Sequence, residues 1–227
     1  MPLVYFKNVS KAYNGSLILD NITFEVKSGE FVSLVGRSGA GKTTILKMLI
    51  KEEPTTKGRI FFNDKDINKF KPGEVTFLRR KIGMVFQDFR LLANRTAYEN
   101  VAFAMEVAGY SEQAIKKDAP ELLKLVNLEE KANNFPHQLS AGEKQKVVIC
   151  RVLAQRPEII LADEPTGDLD PINTWEIIKL LMKINELGTA IILATHDKEV
   201  INTLGQRVIS LDKGKIIRDE EEGKYLI

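Results

Sequence analysis

Phe31-Val32-Ser33-Leu34-Val35-Gly36-Arg37-Ser38-Gly39-Ala40-Gly41-Lys42-Thr43-Thr44-Ile45-Leu46 decides the fold. Phe31 to Val35 reads as a short apolar strand. From Gly41 onward, Ile45, Leu46, Met48 and Leu49 give the apolar face of a helix. Between strand and helix, Gly36 to Thr43 fits G-x-x-x-x-G-K-[ST] with no mismatch. Glycines in such a loop let backbone N–H groups close around phosphate oxygens, and the helix behind adds its positive dipole end. Gly36, Ser38, Gly39, Gly41 and Thr44 join the candidate ATP-binding set. Lys42 is expected to reach the β- and γ-phosphates of ATP, and Thr43 to ligate Mg²⁺.

A second segment lies far along the chain. Ile159-Ile160-Leu161-Ala162-Asp163-Glu164 is an apolar run ending in two carboxylates. Asp163, at the end of a buried strand, suits Mg²⁺ held through water. Side chains alternate along a strand, so Glu164 is expected to face other surroundings than Asp163. There it can orient or deprotonate an attacking water. His196 follows the apolar run Ile191 to Thr195, on the ligand side of an open α/β sheet, where a γ-phosphate contact is available. Gln87 ends the strand that begins at Ile82, and its amide can ligate Mg²⁺ or orient water. Tyr13 can stack on adenine. On the residues alone, a structural role for His196, Gln87 or Tyr13 stays open.

Around these segments the chain alternates. Leu3 to Val9 and Ile18 to Val26 read as strands, with Asn14-Gly15 between them as a hairpin signal. Arg59 to Phe62, Ile82 to Phe86, Glu158 to Ala162, Ala190 to Ala194 and Arg207 to Leu211 are further strands. From Ala97 to about Val126 the pattern is helical. Val101, Met105 and Val107 are read into one buried stripe, and Leu122, Leu123 and Leu125 into another. Pro120 is expected to start or break a helix. Ser140 reads as the N-cap of the next helix, and Ser140 to Glu143 matches a capping box. Strands alternating with helices predict an α/β fold with a mainly parallel sheet. The expectation is one domain over 1–227: a nucleotide-binding core of 1–87 and 157–227, with a helical subdomain, 88–156, inserted.

The 227 residues carry a net charge of +2, which does not point to nucleic acid as a partner. Arg79-Arg80-Lys81 reads as a solvated helix end and Asp219-Glu220-Glu221-Glu222 as a solvated acidic tail. The single cysteine, Cys150, sits in an apolar helical stretch, where packing is its expected role. A disulfide within the chain is impossible, which fits a reducing compartment. No apolar run approaches the roughly 20 residues of a membrane span, and no secretory signal is evident. A cytoplasmic chain is expected, reaching any membrane through a partner.

Leu139-Ser140-Ala141-Gly142-Glu143 resembles the signature segment of the ATP-binding cassette (ABC) ATPases, usually LSGG followed by Gln or Glu. The resemblance covers nearly the whole chain. Gln87 falls at that family's Q-loop, His196 at its switch histidine, Tyr13 at its adenine-stacking aromatic, and Gly167-Asp168-Leu169-Asp170 at its D-loop. It implies a P-loop NTPase core with an N-terminal antiparallel β part, and hydrolysis of ATP with Mg²⁺. It also implies an ATP-dependent homodimer packed head to tail, in which Ser140, Gly142 and Asp170 join the site. Phe86-Gln87-Asp88-Phe89-Arg90-Leu91-Leu92 and Tyr98 to Ala104 are similar to the cell-division branch of the family, the FtsE type. The ending Arg218-Asp219-Glu220 with Gly223 and Tyr225 is similar too. That likeness implies an FtsX-like membrane partner, other division proteins, regulation of peptidoglycan hydrolysis, and a place on the cytoplasmic face of the membrane. The alternative is the ATPase of an exporter or of a lipoprotein-releasing or macrolide-efflux-type transporter. Ala141 departs from the family's glycine. If that backbone needs positive φ or close approach to phosphate, slower turnover and weaker dimerisation follow. Lys144 and Lys146 depart from the usual Gln and Arg.

Overall fold

A computed structural model describes residues 1–225. The strand entering the P-loop is β3, Phe31–Gly36, and it is buried along its whole length. It lies at the centre of a six-stranded sheet of order β10-β9-β3-β8-β7-β6. Here β6 is Ile82–Val85, β7 Ile159–Asp163, β8 Ala190–Thr195, β9 Arg207–Asp212 and β10 Lys215–Glu220. All neighbours are parallel except β10, which runs antiparallel to β9 at the edge. A parallel sheet needs cover on both faces, so its strands read as continuous apolar runs rather than alternating ones. The alternation survives in where each residue packs. Val32, Leu34, Ile159, Leu161 and Ile192 enter one core, while Phe31, Ile160, Ile191 and Leu193 enter the other.

The first core is closed by a second sheet, antiparallel, of order β2-β1-β4-β5. Its strands are β1 Val4–Tyr13, β2 Ser16–Val26, β4 Lys57–Phe62 and β5 Lys65–Asp66. Asn14 and Gly15 join β1 to β2 with φ of 48° and 83°, the positive values a two-residue hairpin demands. Between the sheets lies α1, Lys42–Leu49, which buries Ile45, Leu46, Met48 and Leu49. The short α2, Pro72–Lys81, leads into β6.

The second core packs under α6, Pro171–Glu186, and α7, Lys198–Leu204. A third core belongs to α3, Ala97–Ala108, α4, Glu112–Leu125, and α5, Ala141–Leu153. α5 serves two cores, sending Val148, Ile149 and Val152 toward the sheet and Val147 and Cys150 toward α3 and α4.

Several expectations need correction. Pro120 neither starts nor breaks a helix; it lies inside α4 on the exposed face. The carbonyl of Lys116, which loses its helical donor there, is on a side where water can replace it. Val107 and Leu125 are exposed, at 49% and 41%, so the stripes they were read into are narrower. Asp219 and Glu220 are not tail but strand β10, and Asp219 accepts two bonds from Arg207, each 2.7 Å. Arg79-Arg80-Lys81 does end a helix, but not as free charges. Arg79 donates to the carbonyls of Ile50 and Lys51, Arg80 to that of Val107, and Lys81 pairs with Glu158 at 3.0 Å. None of the helices among the described residues is long and apolar enough to cross a membrane.

Candidate active site

The P-loop turns back from β3 into α1 around a cleft of about 800 Å³. Gly41 caps the helix with φ 105°, a backbone that side-chain-bearing residues rarely adopt. It supplies no capping side chain, so the first N–H groups of α1 are left for an anion. Tyr13, Ser38, Gly39, Gly41, Lys42, Thr43, Thr44, Gln87, Glu164 and His196 all line this cleft. Gly36 starts the loop, and its carbonyl accepts from the buried Lys42 Nζ at 2.8 Å.

Two carboxylates stand at the end of β7, Asp163 as its last residue and Glu164 just beyond, on different errands. Asp163 Oδ1 accepts from Thr43 Oγ1 at 3.1 Å. Burial pushes the Asp163 carboxyl above the usual carboxylate range; the Thr43 bond opposes this and the charge of Glu164 adds to it. Glu164 has left-handed backbone, φ 48°, a strained position for a residue with a side chain. That turn, rather than strand alternation alone, swings it away from Asp163. One Glu164 oxygen lies 3.4 Å from Lys42 Nζ and the other 2.9 Å from His196 Nδ1. The carboxylate is thus held between an ammonium and an imidazole at the cleft wall. Gln87 Nε2 donates to Asp168 Oδ1 at 3.3 Å.

Thr43, Asp163 and Gln87 all offer oxygen, the donor that hard cations prefer. No cluster of three or more His, Cys, Asp or Glu suited to a metal occurs among the described residues. A hydroxyl with one carboxylate suits Mg²⁺, which takes one or two carboxylates and completes its shell with water and substrate phosphates.

Tyr13 ends β1 and is 36% exposed. Lys11 Nζ sits 4.4 Å from its centroid, so a cation occupies that face. Its phenol is pushed above the ordinary tyrosine value, first by burial and then by the hydrogen bond and charge of Glu53.

Ser140, Gly142 and Asp170 do not line the cleft. They form a group of their own. Ser140 caps α5 in a reciprocal box: its Oγ accepts from Glu143 N–H at 3.3 Å, and its N–H donates to Glu143 Oε2 at 2.8 Å. Asp170 caps α6, accepting from Ile172 and Asn173 N–H at 2.9 and 3.0 Å. The Asn173 side chain then joins the two helix starts. It bonds Asp170 Oδ2, and its atoms fill the place a Cβ on Gly142 would take. Ala141, one residue earlier, has no positive φ and opens a right-handed helix. The positive-φ reason for a glycine at 141 therefore fails; the crowded position is 142.

Sequence reasoning missed Lys198 as a member of the cleft wall and quoted Tyr225 only as a likeness. Lys198 Nζ lies 5.3 Å from the Tyr225 ring. The only signal was Lys198's position two residues after His196.

Comparison with known proteins shows the family of the chain. The ABC transporter family profile matches residues 19–167. The cell division ATP-binding protein FtsE of Bacillus subtilis (strain 168) is 50% identical over 224 residues, 98% of each chain. A methionine import ATP-binding protein, MetN, of Francisella tularensis subsp. holarctica (strain OSU18) is 43% identical over 99% of this chain and 65% of its own length. Among solved structures, the ATP-binding cassette MJ0796, dimeric in a post-hydrolysis state with ADP and Pi, superposes with a TM-score of 0.87. It is 39% identical over 98% of this chain and 100% of its own.

Proposed function

The chain belongs to the ABC transporter family and is an ATPase; on that premise we propose that it powers an FtsEX-like membrane complex. In this proposal ATP pairs two copies, and the cycle drives an FtsX-like membrane protein that regulates peptidoglycan hydrolysis in cell division. The full-length, 50% identity to a cell-division ATP-binding protein carries the reading. The chain then works on the cytoplasmic face of the membrane, held there by its partner.

The roles follow from the cleft. Tyr13 offers its open ring face to adenine. Gly36, Ser38, Gly39, Gly41 and Thr44 wrap the phosphates with the α1 N-terminus, and Lys42 pairs with their charge. A triphosphate competes with Glu164 for the Lys42 ammonium. Glu164 so released takes the proton of an attacking water, with His196 fixing the carboxylate from its other oxygen. Thr43, Asp163 and Gln87 would hold Mg²⁺, which would supply positive charge against the phosphates of bound ATP. Ser140, Gly142 and Asp170 lie off this cleft, which suits a site completed by the signature of a second copy.

A groove of about 500 Å³ separates the core from α3 and is lined by Phe86, Arg90, Leu92, Phe103, Val107 and Arg151 among others. Apolar rings beside arginines near Gln87 suit a partner's amphipathic segment. The match to MetN favours a second reading, the ATPase of a transporter.

Glu164→Gln separates the two. The variant is expected to bind ATP and stall before hydrolysis, so its partners can be recovered from solubilised membranes and identified by mass spectrometry. A multispanning FtsX-like protein supports the division reading. A permease of another type replaces it with the transporter reading. Recovery of no membrane protein by ATP-loaded chain refutes both.

A further inference from the structure

Gln87 stands at the head of a strained segment. Phe89 and Arg90 both have left-handed backbone, with φ of 53° and 51°, a conformation side-chain-bearing residues avoid. Arg90 N–H donates to Asp88 O, which closes a three-residue turn of the rare hand around Phe89. The Arg90 guanidinium lies 3.6 Å from the Phe86 ring centroid, and its Nε is 3.1 Å from both Asp88 carboxylate oxygens.

The carbonyls thrown outward by this turn are both taken by one side chain. Arg151 Nη1 donates to Arg90 O at 2.5 Å, and Nη2 donates to Phe89 O at 3.2 Å. On the other side of Gln87, the fully buried Gln145 donates from Nε2 to Phe86 O at 3.4 Å. Gln145 and Arg151 are on α5, the helix that Ser140 caps. A planar guanidinium can span two carbonyls at once, and a lysine ammonium cannot reproduce that fork.

We propose that Gln145 and Arg151 clamp the chain on both sides of Gln87, with Arg151 a positioning residue that holds the left-handed turn 88–90. Gln87 and the helix carrying Ser140 then move as one piece. Phe86, Arg90 and Arg151 also line the groove beside α3, so an occupant that draws Arg90 aside loosens Gln87 and α5 together. The clamp matters to turnover only through Gln87, so it rests on the role given to Gln87 above.

Steady-state ATPase of the full chain tests it. Arg151→Met is expected to lower kcat about tenfold with little change in KM, and Arg151→Lys to lie between. Glycine adopts left-handed backbone at no steric cost. Adding Arg90→Gly to Arg151→Met should therefore restore most of the activity, which a packing role for Arg151 would not allow. Combining Arg151→Met with Gln87→Ala should lose no more than Gln87→Ala alone. Losses that multiply, or failure of Arg90→Gly to rescue, overturn the clamp. If Arg151→Met does not fold by circular dichroism, the Arg151→Lys pair with and without Arg90→Gly decides by the same rescue. A Gln87→Ala chain with full activity removes the Gln87 role itself. An impaired Gln87→Ala beside an unimpaired Arg151→Met removes the clamp and leaves that role standing.

Discussion

Gly142→Ala should destabilise the chain although it places a better helix former in α5. Alanine inside a helix is favoured over glycine by about 1 kcal/mol. The new Cβ, however, would occupy the space of the Asn173 side chain, overlapping Oδ1 and lying 2.7 Å from Cγ. Asn173 must rotate away and abandon Asp170 Oδ2, a loss of about 1 kcal/mol. Overpacking adds about 1–3 kcal/mol. The net expectation is a loss of about 1–3 kcal/mol, or several degrees in Tm for a chain of this size. Asp170 keeps its backbone bonds to Ile172 and Asn173, so the α6 cap survives and the loss stays local. Urea unfolding measures it, with m unchanged. The decisive comparison is the same substitution in an Asn173→Ala background, where the clash is gone. There Gly142→Ala should become neutral or stabilising, a coupling of about 1–3 kcal/mol. An equal cost in both backgrounds would refute the contact as the reason for glycine at 142.

Asp163→Asn should stabilise the fold while removing Mg²⁺-dependent ATPase. A carboxyl whose folded pKa is raised costs stability above that pKa, and the cost fades as pH falls through it. The gain in urea midpoint should be present at neutral pH and shrink toward about pH 4; a variant no more stable than the parent at neutral pH contradicts this. Ala141→Gly tests the remaining cost of the signature departure, close approach to phosphate, and should raise turnover; an unchanged or lower rate ends that idea. Burial pushes the Cys150 thiol up to about 12, so a thiol reagent at pH 8 should label the native chain far more slowly than the urea-unfolded one. Equal rates would show Cys150 to be accessible. Arg207→Met removes bonds to Glu30 at 2.8 Å and to Asp219, leaving two acids without their partner. A loss of about 2–4 kcal/mol in urea is expected, and a loss too small to measure argues against the network.

Much of this was legible because local chemistry and fold agreed. Asn14-Gly15 specified the hairpin by positive φ alone, and Ser140 with Glu143 specified the start of α5. The apolar runs at β3, β7 and β8 could be read because a doubly covered sheet needs no alternation. Other features depended on contacts that composition does not record. Asp219 looks like part of an acidic tail until Arg207, on the neighbouring strand, claims it. Pro120 is tolerated only because its turn of α4 faces solvent. Tyr13, Gln87, Glu164 and His196 meet the P-loop at one cleft, while the Asn173 bridge between Gly142 and Asp170 had no signal in the sequence. Nothing about an asparagine in α6 announces that it fills the space beside a glycine in another helix. Nor does the segment Asp88-Phe89-Arg90 contain glycine to advertise its left-handed turn; an arginine more than sixty residues away stabilises it.

The strand order has a consequence for how the chain is born. β3 carries the P-loop and is complete by residue 36, yet both its sheet neighbours, β8 and β9, lie between residues 190 and 212. At roughly 5–20 residues per second on the ribosome, Phe31 to Val35 wait on the order of ten to thirty seconds before either flank exists. For that interval an apolar strand with two open edges is exposed to other nascent chains and to chaperones. The P-loop cannot take its shape early, so nucleotide can stabilise only a chain that is nearly finished. Stalled or truncated products ending before β8 should therefore be insoluble whatever the ATP concentration.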